Sequence, residues 1–543
     1  MWVRRVLVAG VAVAAVWGGS AWAAPVEVGY QDPVTALPGV SRPAGVGHCA
    51  VTVMRHDFAN SYGQPYVGTV SPPAGCPGPW SKVVLDWNGS VAGRQYDRLA
   101  GVWLGGAEIF RTSTPEPDPD GINWHVDTDI SAFAPLLRSP QPLVVDLGNI
   151  VNSTYTGIYH MSMTFTYYQA DRRHPPARTA DRVVPLAAST TAPGWYTVGA
   201  GQSATARVTL PRNTEAVRAQ VYARGGGCEE QWFSDVPSDV AAKYPDTLCG
   251  GGAYREVQVL VDGTPAGLAQ PFPVIYTGGI SPLMWRPIPS VDAFRTQPYE
   301  VDLTPFAGRF ADGLPHAVTL VPYGNADNWT VGGQLFVDTD HGSAQTTGGL
   351  LADTVTTAPA TATTTTDVAG GVRISQVTHR EWTVAGWVRT SHGRVVSHVD
   401  GHWDVRNDDT VTGNGTVQHM VQRAAGAVTA GRGGAAERTA FSYPITVDST
   451  YVPGTAPDTF SVSGAVDVTR HLRVDESGRR EMATDDRVTA DGVLARDHGT
   501  VVQADGHDAE HYVGTTDTGG CVDHLIRAAH GYVVTDTTRR CRR

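Results

Sequence analysis

The chain has 543 residues, of which 41% are apolar and 17% charged, and its formal net charge is −12. That length gives room for roughly two to four domains with ample core. The acidic balance, with no long basic run, excludes a nucleic-acid partner.

Arg4 and Arg5 precede an apolar segment from Val6 to Trp17, and Ala21-Trp22-Ala23 then supplies the small residues of a cleavage site. Residues 1–23 therefore read as a signal peptide. The apolar run is shorter than the roughly 20 helical residues that cross a bilayer, so the expected product is exported and soluble, extracellular or periplasmic, with no membrane partner. The six cysteines, an even number, suit an oxidising compartment. They allow fifteen pairings, of which the economical one joins sequence neighbours: Cys49 with Cys76, Cys228 with Cys249, and Cys521 with Cys541. No Cys-x-x-Cys occurs, so neither a zinc site nor a thioredoxin motif is expected, and no metal or cofactor is implied.

From here on, short alternating runs rich in Val, Thr, Tyr and Trp, bounded by Gly, Pro, Asn and Asp, predict an all-β chain of sandwiches. A first sandwich is expected over 24–170. Within it, Val102 to Phe110 reads as a hairpin turning at Gly105-Gly106, which puts Asp97 and Arg98 at one end of a sheet. A polar, proline-rich linker follows over 171–193, then a second sandwich over 194–345. Residues 346–371 contain the Thr/Ala/Pro stretch Thr354 to Thr366 and are expected to be an extended linker. Residues 372–543 form a third, β-patterned region. Only Ser131 to Leu137 and Val236 to Tyr244 suggest a turn or two of helix.

Several segments carry a more specific signal: HDFANSYG at His56 to Gly63, PWSKVVLDW at Pro79 to Trp87, GRQYDR at Gly93 to Arg98, and GVWLGGAEIFRTST at Gly101 to Thr114. Val151 to His160, Tyr254 to Gly263 and Pro271 to Ile288 continue the series. In this order, from about residue 45 to about 340, the chain resembles the acidic peptide:N-glycanase A family of plants, fungi and bacteria. Those enzymes cut the amide that links Asn to the first GlcNAc of an N-glycan. The resemblance implies two adjacent jelly-roll sandwiches forming the catalytic unit. It also implies a metal-independent amidase whose partners are N-glycosylated peptides and proteins; a monomer is the expectation for the assembly.

The same resemblance names a site. Tyr96-Asp97-Arg98 matches the strand motif whose aspartate is essential in a related flavobacterial glycanase, which makes Asp97 the central catalytic candidate, with Arg98 orienting its carboxylate or polarising the amide oxygen. The second carboxylate is Glu230, beside Trp232, or else Glu256; the alternative for Glu229 and Glu230 is a solvated loop pair. Gly148 stands where that enzyme has a third acid, so the role is dispensable here or falls to Glu116 or Asp146. Trp285-Arg286 resembles a pair that lines the glycan cleft, since an indole stacks on the apolar face of a sugar and a guanidinium donates to hydroxyls. Trp232, Trp124 and Glu116 complete the substrate-binding candidates, and for each tryptophan the competing expectation is simple core packing. His398, Asp400, His402 and Asp404 alternate and so share one face of a strand. They could hold a metal, but a polar solvent-facing strand is the stronger expectation. Two other functions fit paired sandwiches: a non-catalytic glycan-binding protein, and an endoglycosidase that leaves one GlcNAc on Asn.

Overall fold

The computed structural model describes residues 28–541, so the signal peptide expected over 1–23 lies outside the described residues. The first eight strands are β1 (His48–Phe58), β2 (Tyr66–Val70), β3 (Trp80–Val91), β4 (Leu99–Leu104), β5 (Ala107–Ser113), β6 (Ile122–Asp129), β7 (Gln141–Leu147) and β8 (Tyr159–Gln169). They form two four-stranded antiparallel sheets in the orders β1-β8-β3-β6 and β2-β7-β4-β5, the interleaved double Greek key of a jelly roll. Gly105 (φ 59°) and Gly106 (φ 88°) make the tight β4–β5 turn, because only glycine takes two successive positive φ values without steric cost. Trp87, Leu85, Phe110, Phe165 and Tyr167 fill the space between the sheets.

The second sandwich repeats the plan. Its strands are β9 (Arg182–Pro185), β10 (Tyr196–Val198), β11 (Ala204–Val208), β12 (Thr214–Gly225), β13 (Glu256–Val261), β14 (Thr264–Ala269), β15 (Tyr299–Asp302), β16 (His316–Tyr323) and β17 (Trp329–Thr339). The orders β10-β17-β12-β15 and β11-β16-β13-β14 are those of the first jelly roll shifted by nine strands. The extra strand β9 pairs with Gln334–Val337, so part of the expected 171–193 linker is structured. The sandwiches meet along β5, every residue of which is buried. There Arg111 lies between Glu108 (2.7 and 3.0 Å) and the Thr330 carbonyl, with the Trp195 and Tyr222 rings against its guanidinium. Full pairing is what permits a buried arginine.

The third region is one eleven-stranded antiparallel sheet that runs as a meander from β20 (Gly371–Thr390) to the last strand, Tyr532–Arg540, with β18 (Thr347–Asp353) and β19 (Ala360–Val368) both paired to β20. The Thr/Ala/Pro segment is thus not the extended linker expected of it. Its threonines are β-branched and fit a pleated edge, and Ala360 to Val368 pair in unbroken register with Gly371 to His379. One face of this long sheet alternates to solvent, where His402, Asp400 and Asp404 are exposed and His398 half-exposed. The other face packs on the second sandwich. Trp382, Val384, Trp403, Met420 and Tyr443 share a single core with Val257, Val259, Phe272 and Trp285.

Two features of that packing position the rest. A cross-strand row of small residues, Ser449-Gly464-Gly492-Gly506, forms a trough in the long sheet. The segment Ile280–Trp285 lies in it so closely that a Cβ on Gly506 would stand 2.0 Å from the Leu283 carbonyl oxygen, and one on Gly464 2.4 Å from the Ile280 side chain. The N-terminal arm, residues 28–37, forms a strap. Tyr30 bonds to Glu116 and Asp118 of the first sandwich, Val34 to Pro287, and Thr35 and Ala36 to Glu510 of the long sheet. The disulfides are Cys49–Cys76, Cys228–Cys249 and Cys521–Cys541. Among the described residues, helix is confined to short turns, including Ala134–Leu137 and Ser238–Ala241. No helix among the described residues is long and apolar enough to cross a membrane.

Candidate active site

Asp97 lies in the loop that enters β4, just before the strand begins. Its neighbour Arg98 is pinned to the start of the β4–β5 ladder: the Arg98 N–H donates to Thr114 Oγ1 (2.9 Å), and the Thr114 N–H donates to the Arg98 carbonyl (3.0 Å). Behind them, Tyr159 donates to the Tyr96 carbonyl (2.7 Å) and accepts from Thr114 Oγ1 (3.0 Å), and Gln95 accepts from Arg98 Nη2 (2.8 Å). This network fixes the loop from within the first sandwich. From the second sandwich comes the Gly278 N–H, which donates to Asp97 Oδ2 at 3.2 Å. Gly278 belongs to the segment that continues into the glycine trough.

The facing carboxylate is Glu230, on the short 3₁₀ turn Gly227–Ser234 that follows β12. Arg224, at the end of β12, donates to Glu230 Oε1 (3.3 Å), and its guanidinium sits 4.4 Å from the centre of the Tyr276 ring. Burial pushes Asp97 above the usual aspartate range, against the pull of the Gly278 N–H, Arg224 and Arg98. Burial also pushes Glu230 up to about 7; Arg224 opposes this and the Asp97 charge adds to it. Two carboxyls that sense each other and share one arginine disfavour double ionisation, so the arrangement holds one as carboxylate and the other as acid. Two polar atoms at this seam, Arg98 Nε and the Tyr276 hydroxyl, are buried without a hydrogen-bond partner among the described residues.

The other sequence candidates are sorted by what covers them. Glu229 is fully buried, clasped by Arg255 (2.6 and 2.7 Å) and Trp329 Nε1 (2.7 Å), and holds the turn that presents Glu230. Glu256, expected as the alternative acid, is fully buried in an ion pair with Arg380 of β20 (2.5 and 2.9 Å) and accepts from the Tyr254 hydroxyl (2.6 Å). It fastens the long sheet to the second sandwich and is not a partner for Asp97. Trp285, expected on the cleft wall, is 2% exposed and donates to the Gly279 carbonyl (2.7 Å), so it shapes the Gly278 segment from inside. Trp232 and Trp124 are likewise core residues, Trp124 edge-on to Tyr159. None of the three tryptophans offers a sugar an open face. Arg286 is buried, bonded to Glu116 (3.3 Å) and the Val28 carbonyl, with the Tyr30 ring 5.0 Å away. Glu116 is nonetheless close to the site, because Tyr159 senses both its charge and that of Asp97. Asp146 is held up to about 6 by burial, and at Gly148 a Cβ would meet the Tyr62 ring at 3.1 Å.

Arg224, Tyr276 and Gly278 are site residues that sequence reasoning missed. Tyr276 and Gly278 fall inside the motif PFPVIYTGGISPLMWRPI, but nothing in the pattern aims them at Asp97. Among the described residues, ligand atoms suited to a metal come together in Asp505, His507 and His530, within 4.8 Å of one another and on the open face of the long sheet.

Residues 33–356 match the profile of the family described as Peptide N-acetyl-beta-D-glucosaminyl asparaginase amidase A. Over 417 residues, 73% of this chain and 72% of the relative, the sequence is 32% identical to the peptide-N4-(N-acetyl-beta-glucosaminyl)asparagine amidase A of Prunus dulcis. The chain belongs to this amidase A family. Among solved structures it is similar to PNGase F, a glycosylasparaginase from Flavobacterium meningosepticum, at 13% identity and a TM-score of 0.36 over 54% of this chain and 96% of that one. It is also similar to PNGF-II, at 13% identity and a TM-score of 0.37 over 58% and 64%. The family profile ends at residue 356, whereas the 417 residues matched to the Prunus dulcis amidase run beyond it into the long sheet.

Proposed function

We propose that this chain hydrolyses the amide between an asparagine side chain and the proximal GlcNAc of an N-glycan on peptides and proteins. It thereby releases the glycan and leaves aspartate. Membership of the amidase A family supports the reaction class. The observation that carries the reading at residue level is the meeting of Asp97 and Glu230, one from each jelly roll, beside Arg224 and the Gly278 N–H.

An amide is a weak electrophile and an amine a poor leaving group, so hydrolysis needs a base for water, a donor for the developing oxyanion and an acid for the departing nitrogen. Asp97, as carboxylate, takes a proton from water as the water oxygen bonds to the amide carbon. Arg224 and Arg98 stabilise the negative charge that develops on the amide oxygen. Glu230, as carboxylic acid, gives its proton to the nitrogen as the C–N bond breaks. The products are an aspartate side chain and a glycosylamine, which water converts to the free glycan and ammonia. The reading includes export to an oxidising compartment, supported by the three disulfides, and action as a monomer without a nucleic-acid or membrane partner.

The test is mass spectrometry of a defined N-glycopeptide with the full chain, with Asp97→Asn and with Glu230→Gln. Expected are whole-glycan release with Asn converted to Asp by the wild type, a loss of about a thousandfold or more for Asp97→Asn, and a loss of about a hundredfold for Glu230→Gln. A peptide that keeps one GlcNAc would make the chain an endoglycosidase. An unchanged glycopeptide that stays bound would make it a glycan-binding protein.

A further inference from the structure

The open face of the long sheet carries imidazole–carboxylate pairs along several of its strands, such as His379 with Asp404 (2.8 Å) and His419 with Asp448 (2.6 Å). Each joins one imidazole to one carboxylate directly opposite on the neighbouring strand. At the far end of the sheet the pattern changes, because two imidazoles meet there. On the strand Thr500–Thr515, Asp505 and His507 flank Gly506, where a Cβ would point at the Leu283 carbonyl in the trough. Side chains alternate along a strand, so Asp505 and His507 both turn to the open face. The third member, His530, comes from the turn between the strands Cys521–Ala529 and Tyr532–Arg540. His530 (φ 53°) and Gly531 (φ 82°) give that turn the two positive φ values of a tight hairpin connection. The His530 N–H donates to the Gly506 carbonyl (2.8 Å), which pins the turn beside the strand that carries Asp505 and His507.

One ligand atom from each of Asp505, His507 and His530 lies within 4.8 Å of the other two, and the two imidazole rings stand 5.3 Å apart at 62°. A zinc ion that holds nitrogen and oxygen at about 2.0–2.2 Å in a tetrahedron needs donor atoms roughly 3.3–3.5 Å apart, so rotation of the side chains closes the triangle. The surroundings also sort the nitrogens. Asp491, opposite His507 across the ladder, brings Oδ2 to 3.2 Å from its Nδ1. A carboxylate there keeps the proton on Nδ1 and leaves Nε2 as the lone-pair donor, which is how outer carboxylates orient ligating histidines. Asp505 Oδ1 is 2.7 Å from His530 Nδ1 and accepts the Gly506 N–H (2.9 Å), so its carboxylate is already held between the two strands. With both imidazoles neutral, Asp491 and Asp505 leave two negative charges, which a divalent cation balances. Two imidazoles and one carboxylate suit zinc and its first-row neighbours, whereas calcium and magnesium favour oxygen ligands throughout.

We propose that Asp505, His507 and His530 bind one zinc ion, with Asp491 orienting His507 and water completing the coordination, and that the ion clips the 529–532 turn onto the strand Thr500–Thr515. The clip lies where the N-terminal arm is seated. The Gln31 N–H donates to the Gly531 carbonyl (3.1 Å), and a Cβ on Gly531 would stand 2.6 Å from that of Tyr30, so what holds the turn also holds the arm. The site includes none of the residues assigned to glycan release, and its part is structural.

The experiment uses the full chain, stripped with chelator and titrated with zinc chloride by calorimetry at about pH 7.5, where free imidazole is neutral. His507→Ala, His530→Ala and Asp491→Asn are compared with His419→Ala, a control that removes one simple imidazole–carboxylate pair from the same face. All four side chains are exposed, so the fold tolerates each change. Expected is one zinc ion per chain for wild type and for His419→Ala, with affinity lower by about a hundredfold or more in either of the other histidine variants and by about tenfold in Asp491→Asn. Hydrogen exchange over residues 28–34 and 529–532 should slow with zinc in wild type and not in His530→Ala. No saturable binding by wild type, several weak ions per chain, or equal affinity in all variants overturns the site; zinc that binds without slowing exchange at the turn overturns the clip. Should a variant fail to fold, cobalt(II) on the wild type decides: a tetrahedral visible spectrum at one equivalent sustains the site, and the spectrum of the hydrated ion overturns it.

Discussion

In the first jelly roll the sheet β1-β8-β3-β6 carries polar side chains on its outer face that pair near the surface, as Asp86 does with Arg42 (2.5 and 3.2 Å), whose side chain is 37% exposed. In the second, β13 is buried on both faces: Val257, Val259 and Val261 point inward, while Glu256 and Gln258 point at the long sheet and bond to Arg380 and Thr357. The counterpart of the β13 sheet in the first jelly roll is β2-β7-β4-β5, which is covered along β5 by the second sandwich and not by the long sheet. Among the described residues, the buried core of the first sandwich takes in only Val183 and Phe336 from the strands of the second, while the core of the second is continuous with the long sheet that follows it in the chain. Equal topology therefore does not mean equal independence, and the difference can be tested.

The largest expected effect is that of removing the long sheet. A chain ending at residue 345 leaves Phe272, Trp285 and the Glu256 carboxylate uncovered, so the second sandwich should lose its cooperative melt and be cut rapidly by protease, while fragments of the first persist. Limited proteolysis with fragment sequencing reads this directly; a stable, cooperatively melting truncation would show the two units to be separable. Next is the buried ion pair. Arg380→Ala strands Glu256 and should cost about 3–5 kcal/mol, whereas Arg42→Ala, which removes the part-exposed partner of Asp86 from the segment leading into β1, should cost less than about 1 kcal/mol, by urea denaturation. Smaller in stability but visible in rate is Gly506→Ala: the added methyl must push Leu283 away, and the Gly278 N–H moves off Asp97 with it. The expected loss is about tenfold in kcat with KM changed less, and a Gly370→Ala control far from the trough should leave the rate alone.

The mildest contrast is in pH. Burial pushes Asp508 up to about 7 and Glu510 up to about 7, and Asp292 up to about 6, all where the long sheet meets the arm and the 286–292 segment. Folded values above the unfolded ones mean that protonation favours the folded state. The stabilisation is complete below about pH 4, the unfolded range, and is lost as pH rises through about 6 to 7. Thermal melts between pH 4 and 8 should show the long sheet and arm weakening as pH rises, more steeply than the first jelly roll. The Glu230 acid follows the same sign, so kcat/KM should fall above about pH 7, and Glu230→Gln should remove that limb.

Much of this molecule was legible in its sequence because the signals were local. The Gly105-Gly106 turn, the alternating strands and the family motif around Asp97 each depend on a few neighbouring residues. What failed had one cause. Glu256, Trp285 and Trp232 look like cleft residues when only their own strand or loop is considered, and their burial comes from elements distant in the chain. The threonine-rich strand β19 was hidden in a different way: its composition is that of a linker, and only the register of β20 reveals it as paired. Arg224 and Tyr276 were invisible because neither residue type nor spacing says which carboxylate an arginine will face.

The strap formed by residues 28–37 ties a segment ahead of the first jelly roll to the last described strands of the long sheet. Gln31 meets Gly531 and Val533, and the Ala36 carbonyl meets His524, so these seats do not exist until the last strands have been made. During synthesis the first jelly roll can close early, yet its own leading segment must wait, unplaced, while almost the whole polypeptide passes. Completion of the fold is then a closing of the circle, in which a segment ahead of the first jelly roll docks on the last strands of the long sheet, and removing those strands would loosen that segment as well.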